Sequence, residues 1–438
     1  MKISLNWIQD ESNVDIKGLG IDEILRRIGS QLGAVEDVED ISVRYQGIVI
    51  AEVVSCEKHP NADRLNVCKL NDNGLTQDIE RDENGLVQVV CGAPNVRAGL
   101  KVAWLPPGST VPSSIPDDPF VLGVRELRGV MSNGMIASPH ELAISDYHSG
   151  ILELDDEAEV GRDFAEFYGL NDTVIDLENK MFTHRPDCFG ILGVARELAG
   201  ITGQKFQSPS WYQGVESNFD VPLSDLPLEA KCETDLVSRF TARVVEGVTV
   251  GSSAVRVQSM LTRVGVKPIN NIVDLTNYYM YLTAQPTHAF DYDKVKALSS
   301  GHPTIFPRMA VQGEKLTLLG GKEITLDQGD IVIATDRQPI ALAGIMGGAD
   351  TEVDENTKNI IVECATFDMY SIRRSSMRHG LFTDASNRFN KGQSPYQNLR
   401  VLHKLTNDIA IQTGTKLGEV IDIINCQLAE PNDANVVK

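Results

Sequence analysis

The sequence predicts an α+β chain of several domains. Three observations lead there. The 438 residues exceed what one core usually serves, and roughly 100–200 residues per domain gives about two to four domains. The apolar pattern changes period along the chain, from helical spacing to strict alternation and back. Apolar residues make up 42% and charged residues 23%, as in globular proteins, and no stretch approaches the ~20 apolar residues of a membrane span.

Residues 1–40 open on "KISLNWI", a short strand or turn, then read as a helix. "GIDEILRRIGSQLG" places Ile21, Ile24, Leu25 and Ile28 on one face, and Gly33 ends it. Residues 41–150 are β-rich. "YQGIVIAEVVSCEKHP", "RLNVCKLN", "LVQVVCGAP" and "LKVAWLPPG" are short strands with Gly/Pro punctuation, which predicts a small closed barrel. The acidic "DNGLTQDIERDENG" between the second and third strands reads as a surface hairpin. Residues 151–200 turn helical in "VGRDFAEFYGL" and "GILGVARELAGITG", with the loop "ENKMFTHRPDCFG" between them. In that loop Arg185 and Asp187 read as a structural lock more readily than as a partner contact.

"QKFQSPSWYQGVESN" has linker composition. Residues 217–428 form the largest unit. "RFTARVVEGVTV" is a strand and "SAVRVQSMLTRVG" a helix. "INNIVDLTNYYMYLT" is dense in β-branched and aromatic residues and reads as β-rich. "TIFPRMAVQGEKLTLLGGKEITLD", "DIVIATDRQPIALAGIMGGADTEV" and "NIIVECATFD" alternate like half-buried antiparallel strands, and a helix follows in "NLRVLHKLTNDIAIQTG".

Seven dispersed cysteines without a C-x-x-C argue against a disulfide framework or a cysteine zinc site, and for reduced thiols in the cytoplasm. The start "MKISLNWIQDES" carries no apolar signal region. There is no Walker A loop and no G-x-G-x-x-G with a following acid. A net charge of −21 argues against coating nucleic acid by charge alone, which needs clustered Lys and Arg. A nucleic-acid reading must therefore rest on motifs.

Such motifs are present. "HPNADRL", "CGAPNVRAG", "ELRGVMSNGM", "HRPDCFGILGVARELA", "INNIVDLTNYYM", "QPTHAFD", "AGIMGGADTEV" and "RHGLFTDASNRF" follow one another in order. Together they resemble the N-terminal half of the β subunits of bacterial phenylalanyl-tRNA synthetases, over nearly the whole chain. The resemblance implies an α+β multidomain fold: residues 1–40 plus 155–200 as a discontinuous helical domain, residues 41–154 as an inserted OB-fold β-barrel that binds tRNA, and residues 201–428 as a B3/B4-like editing module. "AEPNDANVVK" (429–438 in its linker part) would lead to a missing C-terminal half, as in a truncated piece. The implied activity is binding of tRNA(Phe) and hydrolysis of mischarged tyrosyl-tRNA(Phe). Aminoacylation would need the α subunit of an α2β2 heterotetramer, with ATP and Mg²⁺; no cofactor, metal or membrane is expected in this chain. The alternative is a tRNA-docking scaffold with an inactive pocket.

The same resemblance assigns the site. Tyrosine differs from phenylalanine by one hydroxyl, and a pocket that hydrogen-bonds it needs a buried polar group. Glu363 falls at that place; its residues alone leave an outward, solvated glutamate open. His288 and Pro286 would line the pocket, as a holder of the tRNA end or a water and as a stiff wall. Gly347 would allow close backbone approach, as would Gly348, although an ordinary hairpin turn explains both. Thr383 would position the attacking water and small Ala385 leave room for the amino acid, with Asp384 as a helix cap. No Ser-His-Asp set is visible, so the reading is water attack aided by positioning and by the terminal ribose hydroxyl. Asn270, Asn271, Asp274 and Asn277 are either ligand contacts or structural. In the barrel, Lys58, Arg64, Arg97, Lys101 and Arg128 are the tRNA-binding candidates, with His59 and Arg125 as further basic residues. "NKGQSP" departs from the family, which often carries an acidic–arginine pair and an aspartate before the proline.

Overall fold

The computed structural model describes residues 1–16, 18–214 and 221–426. The proposed linker at 429–438 lies outside the described residues, as does the end of "QKFQSPSWYQGVESN". The chain forms two compact units. One comprises Met1–Trp7, Val35–Leu177 and Ser253–Pro268; the other comprises Ile8–Ala34, Glu178–Ser252 and Ile269 onward. Among the described residues no helix is long and apolar enough to cross a membrane.

The first unit is built on an antiparallel barrel. Its strands are β1 (Val49–Lys58), β2 (Asn66–Asn71), β3 (Val87–Cys91), β4 (Lys101–Leu105), β5 (Val124–Leu127), β6 (Val130–Asn133) and β7 (Met135–Ile136). Five of them pair in the order β3-β2-β1-β4-β7, and β5 and β6 form a hairpin. Side chains nearly close the remaining gap. Ser132 accepts from the Val90 N–H (3.0 Å), and the Gln88 and Asn133 amides donate to the carbonyls of Met131 (2.9 Å) and Gln88 (3.1 Å). Trp104, Val89, Val102 and Leu70 fill the interior. The stretch from Asp72 to Gly85 forms no strand. It is a turn-rich loop rather than a hairpin, because the buried Asp72 carboxylate gathers it: Asp72 accepts from Arg81 (2.7 and 3.0 Å) and from the N–H groups of Gly74 and Thr76.

Three chain-distant segments of this unit meet at one buried ion pair. Arg263, on the helix Val255–Arg263, donates to Asp172 at 3.1 Å, and both side chains are almost fully buried. Asp172 also accepts from Ser4 Oγ (2.5 Å) and the Asn6 N–H (3.0 Å), and Arg263 also donates to the Tyr168 carbonyl (3.1 Å). Burial raises the Asp172 carboxyl above its usual range in spite of the guanidinium, so desolvation outweighs the pairing here.

The second unit holds a four-stranded antiparallel sheet, a five-stranded mixed sheet in which Glu229–Ala230 runs parallel to its neighbour, and a two-stranded ribbon of Lys315–Thr317 with Glu323–Thr325. The first has the order β9-β14-β8-β15, with β8 (Val237–Glu246), β9 (His288–Asp291), β14 (Asn359–Phe367) and β15 (Lys416–Ile424). The second pairs β10 (Thr304–Met309), β11 (Ile331–Ala334), β12 (Pro339–Leu342) and β13 (Met346–Gly347), with the short strand Glu229–Ala230 beside β10. Phe240, Phe290, Ile333, Ile361, Ala365 and Phe389 share one core. The unit also contains helices α1 (Asn271–Thr283), α2 (Met369–His379), α3 (Asp384–Phe389) and α4 (Asn398–Thr413).

Helix α1 corrects the β-rich reading of "INNIVDLTNYYMYLT". Its start is fixed by Asn270, whose side chain accepts from the N–H groups of Ile272 (3.1 Å) and Val273 (2.9 Å), an N-cap. Burial of Ile272, Leu275, Tyr279, Met280 and Leu282 on it outweighs β propensity, which is a weak prior. The helix Ile21–Gln31 forms as expected and buries Ile24 and Ile28, but Ile21 is exposed.

Replacing Arg263 by Ala strands a buried carboxylate. A loss of about 3–5 kcal/mol is expected in urea unfolding of the whole chain; a loss under about 1 kcal/mol would show that the pair does not organise this unit.

Candidate functional site

A cavity of about 320 Å³ opens in the second unit, and Pro286, His288, Gly347, Glu363, Thr383 and Ala385 all line it. Its walls come from both sheets and from α1 and α3. Strand alternation sorts the residues: on β14, Glu363 turns inward between His288 of β9 and Ala242 of β8, its register partners.

Glu363 is 6% exposed. Its carboxyl makes no hydrogen bond among the described residues, and burial pushes it up to about 8. At neutral pH it is therefore mainly a carboxylic acid, able to donate as well as accept. His288 is half-buried. Its ring meets Phe290 edge-on at 4.5 Å, and burial brings the imidazole down to about 4, so it is neutral at pH 7. Gly347 explains where the ring fits. A Cβ there would lie 2.5 Å from His288 Cε1, and one on Gly348 would lie 2.3 Å from the Ile340 carbonyl oxygen. Close packing, rather than a left-handed turn, excludes side chains at both glycines.

Thr383 is the N-cap of α3. Its hydroxyl accepts from the Ser386 N–H (3.1 Å) and donates to the Ile345 carbonyl (2.8 Å). The only proton of that hydroxyl is used in the fold, which leaves a lone pair for a water. Asp384 is not the cap; it sits in the first turn and pairs with Arg388 at 3.1 Å. Ala385 follows in the same turn, half-buried against the cavity.

Of the four polar residues around α1, Asn271 and Asp274 are structural, and Asn270 is both a cap and part of the cavity lining. Asn271 bonds the backbone of Thr249 (2.9 Å) and Gly251 (3.1 Å); buried Asp274 accepts from the Ile269 N–H (2.7 Å). Asn277 lines the cavity. The sequence reading missed Thr287. It lines the cavity, and its buried hydroxyl has no hydrogen-bond partner among the described residues. Nothing but its place between Pro286 and His288 could have marked it. Arg185 is bound to Asp187 (2.8 Å) and Glu197 (2.6 Å), a lock that ties its loop to the helix Ile191–Thr202.

The basic residues of the barrel separate into two sets. Arg97 is paired with Glu153 at 3.0 Å, and Lys101 donates to the Asp156 carbonyl. Lys58, Arg64, Arg125 and Arg128 are exposed and make no ion pair among the described residues. His59 is buried: its Nδ1 accepts from the Asn61 N–H (3.1 Å), which leaves Nε2–H to donate to the Leu127 carbonyl (3.0 Å).

Comparison with known proteins bears on both units. Residues 236–412 match the family model described as B3/4 domain, and residues 48–163 match a putative tRNA binding domain. The chain is 38% identical over 398 residues to the phenylalanine–tRNA ligase beta subunit of Symbiobacterium thermophilum, covering 90% of this chain and 42% of that protein. It is 36% identical over 424 residues to that of Pectobacterium atrosepticum, covering 97% of this chain and 50% of that protein.

Over 90–97% of its length the chain is similar to phenylalanine–tRNA ligase beta subunits. It spans about half the length of these relatives. A solved N-terminal fragment of the Pyrococcus horikoshii phenylalanyl-tRNA synthetase beta-subunit gives a TM-score of 0.31 at 18% identity, over 62% of this chain and 70% of that one.

In "NKGQSP" and next to it, buried amides bond to one another. Gln397 Nε2 donates to Gln393 Oε1 (3.2 Å) and Gln285 Oε1 (3.3 Å), and Tyr212 donates to Gln397 Oε1 (2.7 Å). Gln285 in turn donates to the carbonyls of Pro286 and Ala365, both at 2.9 Å. This neutral chain of amides holds "QPTHAFD" against β14, two residues from Glu363.

The pH dependence of stability follows from Glu363. Its folded value, about 8, lies above the ordinary 4.5, so the native state holds a proton that the unfolded state releases, and stability falls as pH rises through that window. Glu363→Gln removes this term. Thermal unfolding should show the variant gaining on the parent steadily from pH 5 to pH 8; a pH-independent difference would mean an ordinary carboxylate.

Proposed function

We propose that this chain binds tRNA and that its second unit hydrolyses the ester of tyrosine wrongly joined to tRNA(Phe), within a phenylalanine–tRNA ligase completed by the α subunit. The observation that carries the reading is the convergence of Pro286, His288, Gly347, Glu363, Thr383 and Ala385 on one cavity whose inward carboxyl has no partner among the described residues. Similarity to phenylalanine–tRNA ligase beta subunits and the match to a putative tRNA binding domain support the tRNA part. Phenylalanylation with ATP and Mg²⁺ would belong to the whole α2β2 enzyme.

Selection against tyrosine follows from the unpaired acid. A tyrosyl ring fits among Met280, Phe290 and Phe389, and its hydroxyl satisfies Glu363, which is left without a partner when phenylalanine enters. A volume near 320 Å³ suits one amino acid with part of a ribose. Neutral His288 can hold the attacking water by a hydrogen bond, since burial leaves its ring a weak base. Thr383 can only accept a hydrogen bond from that water, because its own proton is held by Ile345. The water oxygen adds to the ester carbonyl, and the proton passes to the departing ribose oxygen. These roles rest on positioning.

The test is deacylation of tyrosyl-tRNA(Phe), with phenylalanyl-tRNA(Phe) as the control ester. The parent should hydrolyse the tyrosyl ester selectively, and Glu363→Ala should lower that selectivity about 10- to 100-fold. Gly347→Ala should push the His288 ring aside and slow hydrolysis by about tenfold or more with little loss of stability. No hydrolysis, with or without the α subunit and the remainder of the family's β subunit, would leave a tRNA-docking unit with an inactive pocket.

A further inference from the structure

The barrel unit carries an open cleft of about 560 Å³ that ester hydrolysis does not use. Leu65, Phe120, Leu122, Arg125 and Leu127 are among the residues that line it. A neighbouring hollow shares Leu65 and is bordered by Arg64 and Arg128.

Three features of this place point to a ligand. The first is an aromatic ring in the open. Phe120 is 45% exposed, and the Arg125 guanidinium lies 5.3 Å from its ring centroid, a cation–π pair at the surface. Strand alternation on β5 turns Arg125 and Leu127 to the cleft and leaves Val124 and Glu126 out of its lining.

The second is charge. Acidic residues outnumber basic ones by 61 to 40 in this chain, and Arg81, Arg97 and Arg162 of the same unit are all ion-paired. Arg64, Arg125 and Arg128 make no ion pair among the described residues. The nearby acids form no ion pair with them among the described residues: Glu141 of the cleft accepts from the Ser138 N–H (2.6 Å), and Asp63, which borders the hollow, is in none of the ion pairs of the described residues.

The third is the turn that presents Arg128. Arg128 and Gly129 link β5 to β6 with φ of +50° and +87°, a two-residue turn whose first position normally selects Asn, Asp or Gly. An arginine there is held by side chains: Asn61 donates to the Arg128 carbonyl (3.0 Å) and His59 to that of Leu127 (3.0 Å).

We propose that this cleft holds an unpaired nucleotide of RNA, its base stacked on the Phe120–Arg125 pair and its flanking phosphates on Arg64 and Arg128. Every base offers a flat π face, so an aromatic platform with guanidinium groups suits single strands without sequence preference. An acidic peptide would use the arginines but would leave the exposed ring unexplained. The proposal rests on the tRNA-binding reading above and gives it a place in the barrel; by the same reasoning Arg97 and Lys101, committed within the fold, contribute less.

The test is fluorescence anisotropy on the full chain with labelled tRNA(Phe), a single-stranded 12-mer RNA and a duplex of the same length. Phe120→Leu keeps the apolar bulk and removes the π face. It should weaken single-strand binding about 5- to 100-fold and leave the duplex little changed. Arg125→Ala and Arg128→Ala should each lower the slope of log K against log salt by about one, whereas Lys101→Ala should not. If the parent binds tRNA and all three cleft variants match it, the cleft is overturned and the tRNA reading stands. If the parent binds the 12-mer but not the tRNA, and the variants weaken it, the cleft stands without the tRNA reading. Binding to no RNA overturns both. A polyglutamate peptide that binds as tightly as RNA, indifferent to Phe120→Leu, overturns the cleft in favour of a protein partner.

Discussion

The candidate site depends on the antiparallel pairing of His288–Asp291 with Asn359–Phe367. That register puts His288 beside Glu363 and turns the carboxyl inward. Side chains alternate with period two, so a slip of one residue would carry Glu363 to the opposite face. The other features answer to this pairing. Gly347 is bare because the imidazole occupies the place of its Cβ. The cap at Thr383 ties α3 to Ile345 and so brings Ala385 to the same cavity. The cost of burying two uncharged but unpaired polar groups is borne by the core of Phe240, Phe290, Ile361 and Phe389 around them.

In the barrel unit, buried charge does a different task. The Arg263–Asp172 pair and the Arg81–Asp72 pair are each surrounded by further hydrogen bonds, so they gather backbone rather than offer charge to a ligand. Arginines bound in this way are lost to recognition. What the barrel can present to an anion is set by the residues that the fold leaves unpaired, and these form a small part of a chain with net charge −21. Local charge, rather than the total, decides what such a surface attracts.

Much of the architecture was legible in the sequence. The barrel strands stood out because alternation and Gly/Pro turns agree there, and the later sheets for the same reason. The misread elements share a cause. "INNIVDLTNYYMYLT" has strand-like composition, yet one asparagine cap and a buried face make it a helix. The acidic loop after β2 looked like a hairpin because the tie between Asp72 and Arg81 is invisible in a linear pattern. Within the site, residue types and order pointed to Glu363, His288 and Gly347 through family resemblance, but the inward turn of Glu363 is a matter of register with strands far away in sequence. Which arginines are free is likewise a tertiary fact: Arg97 and Arg128 look alike until Glu153 is seen beside the first.

The amide chain Tyr212–Gln397–Gln285 has a consequence for the conditions under which the cavity keeps its form. A joint made of carboxylates and guanidinium groups is weakened by added salt and broken by acid. A joint made of glutamine side chains has no charge to screen and no proton to exchange with the solvent. The wall that carries Pro286 and His288 is therefore indifferent to ionic strength, while any grip on a polyanion by exposed arginines is not. The amide joint behind the cavity wall therefore differs in kind from the exposed arginines of the barrel, whose interactions with any anion would weaken as salt rises.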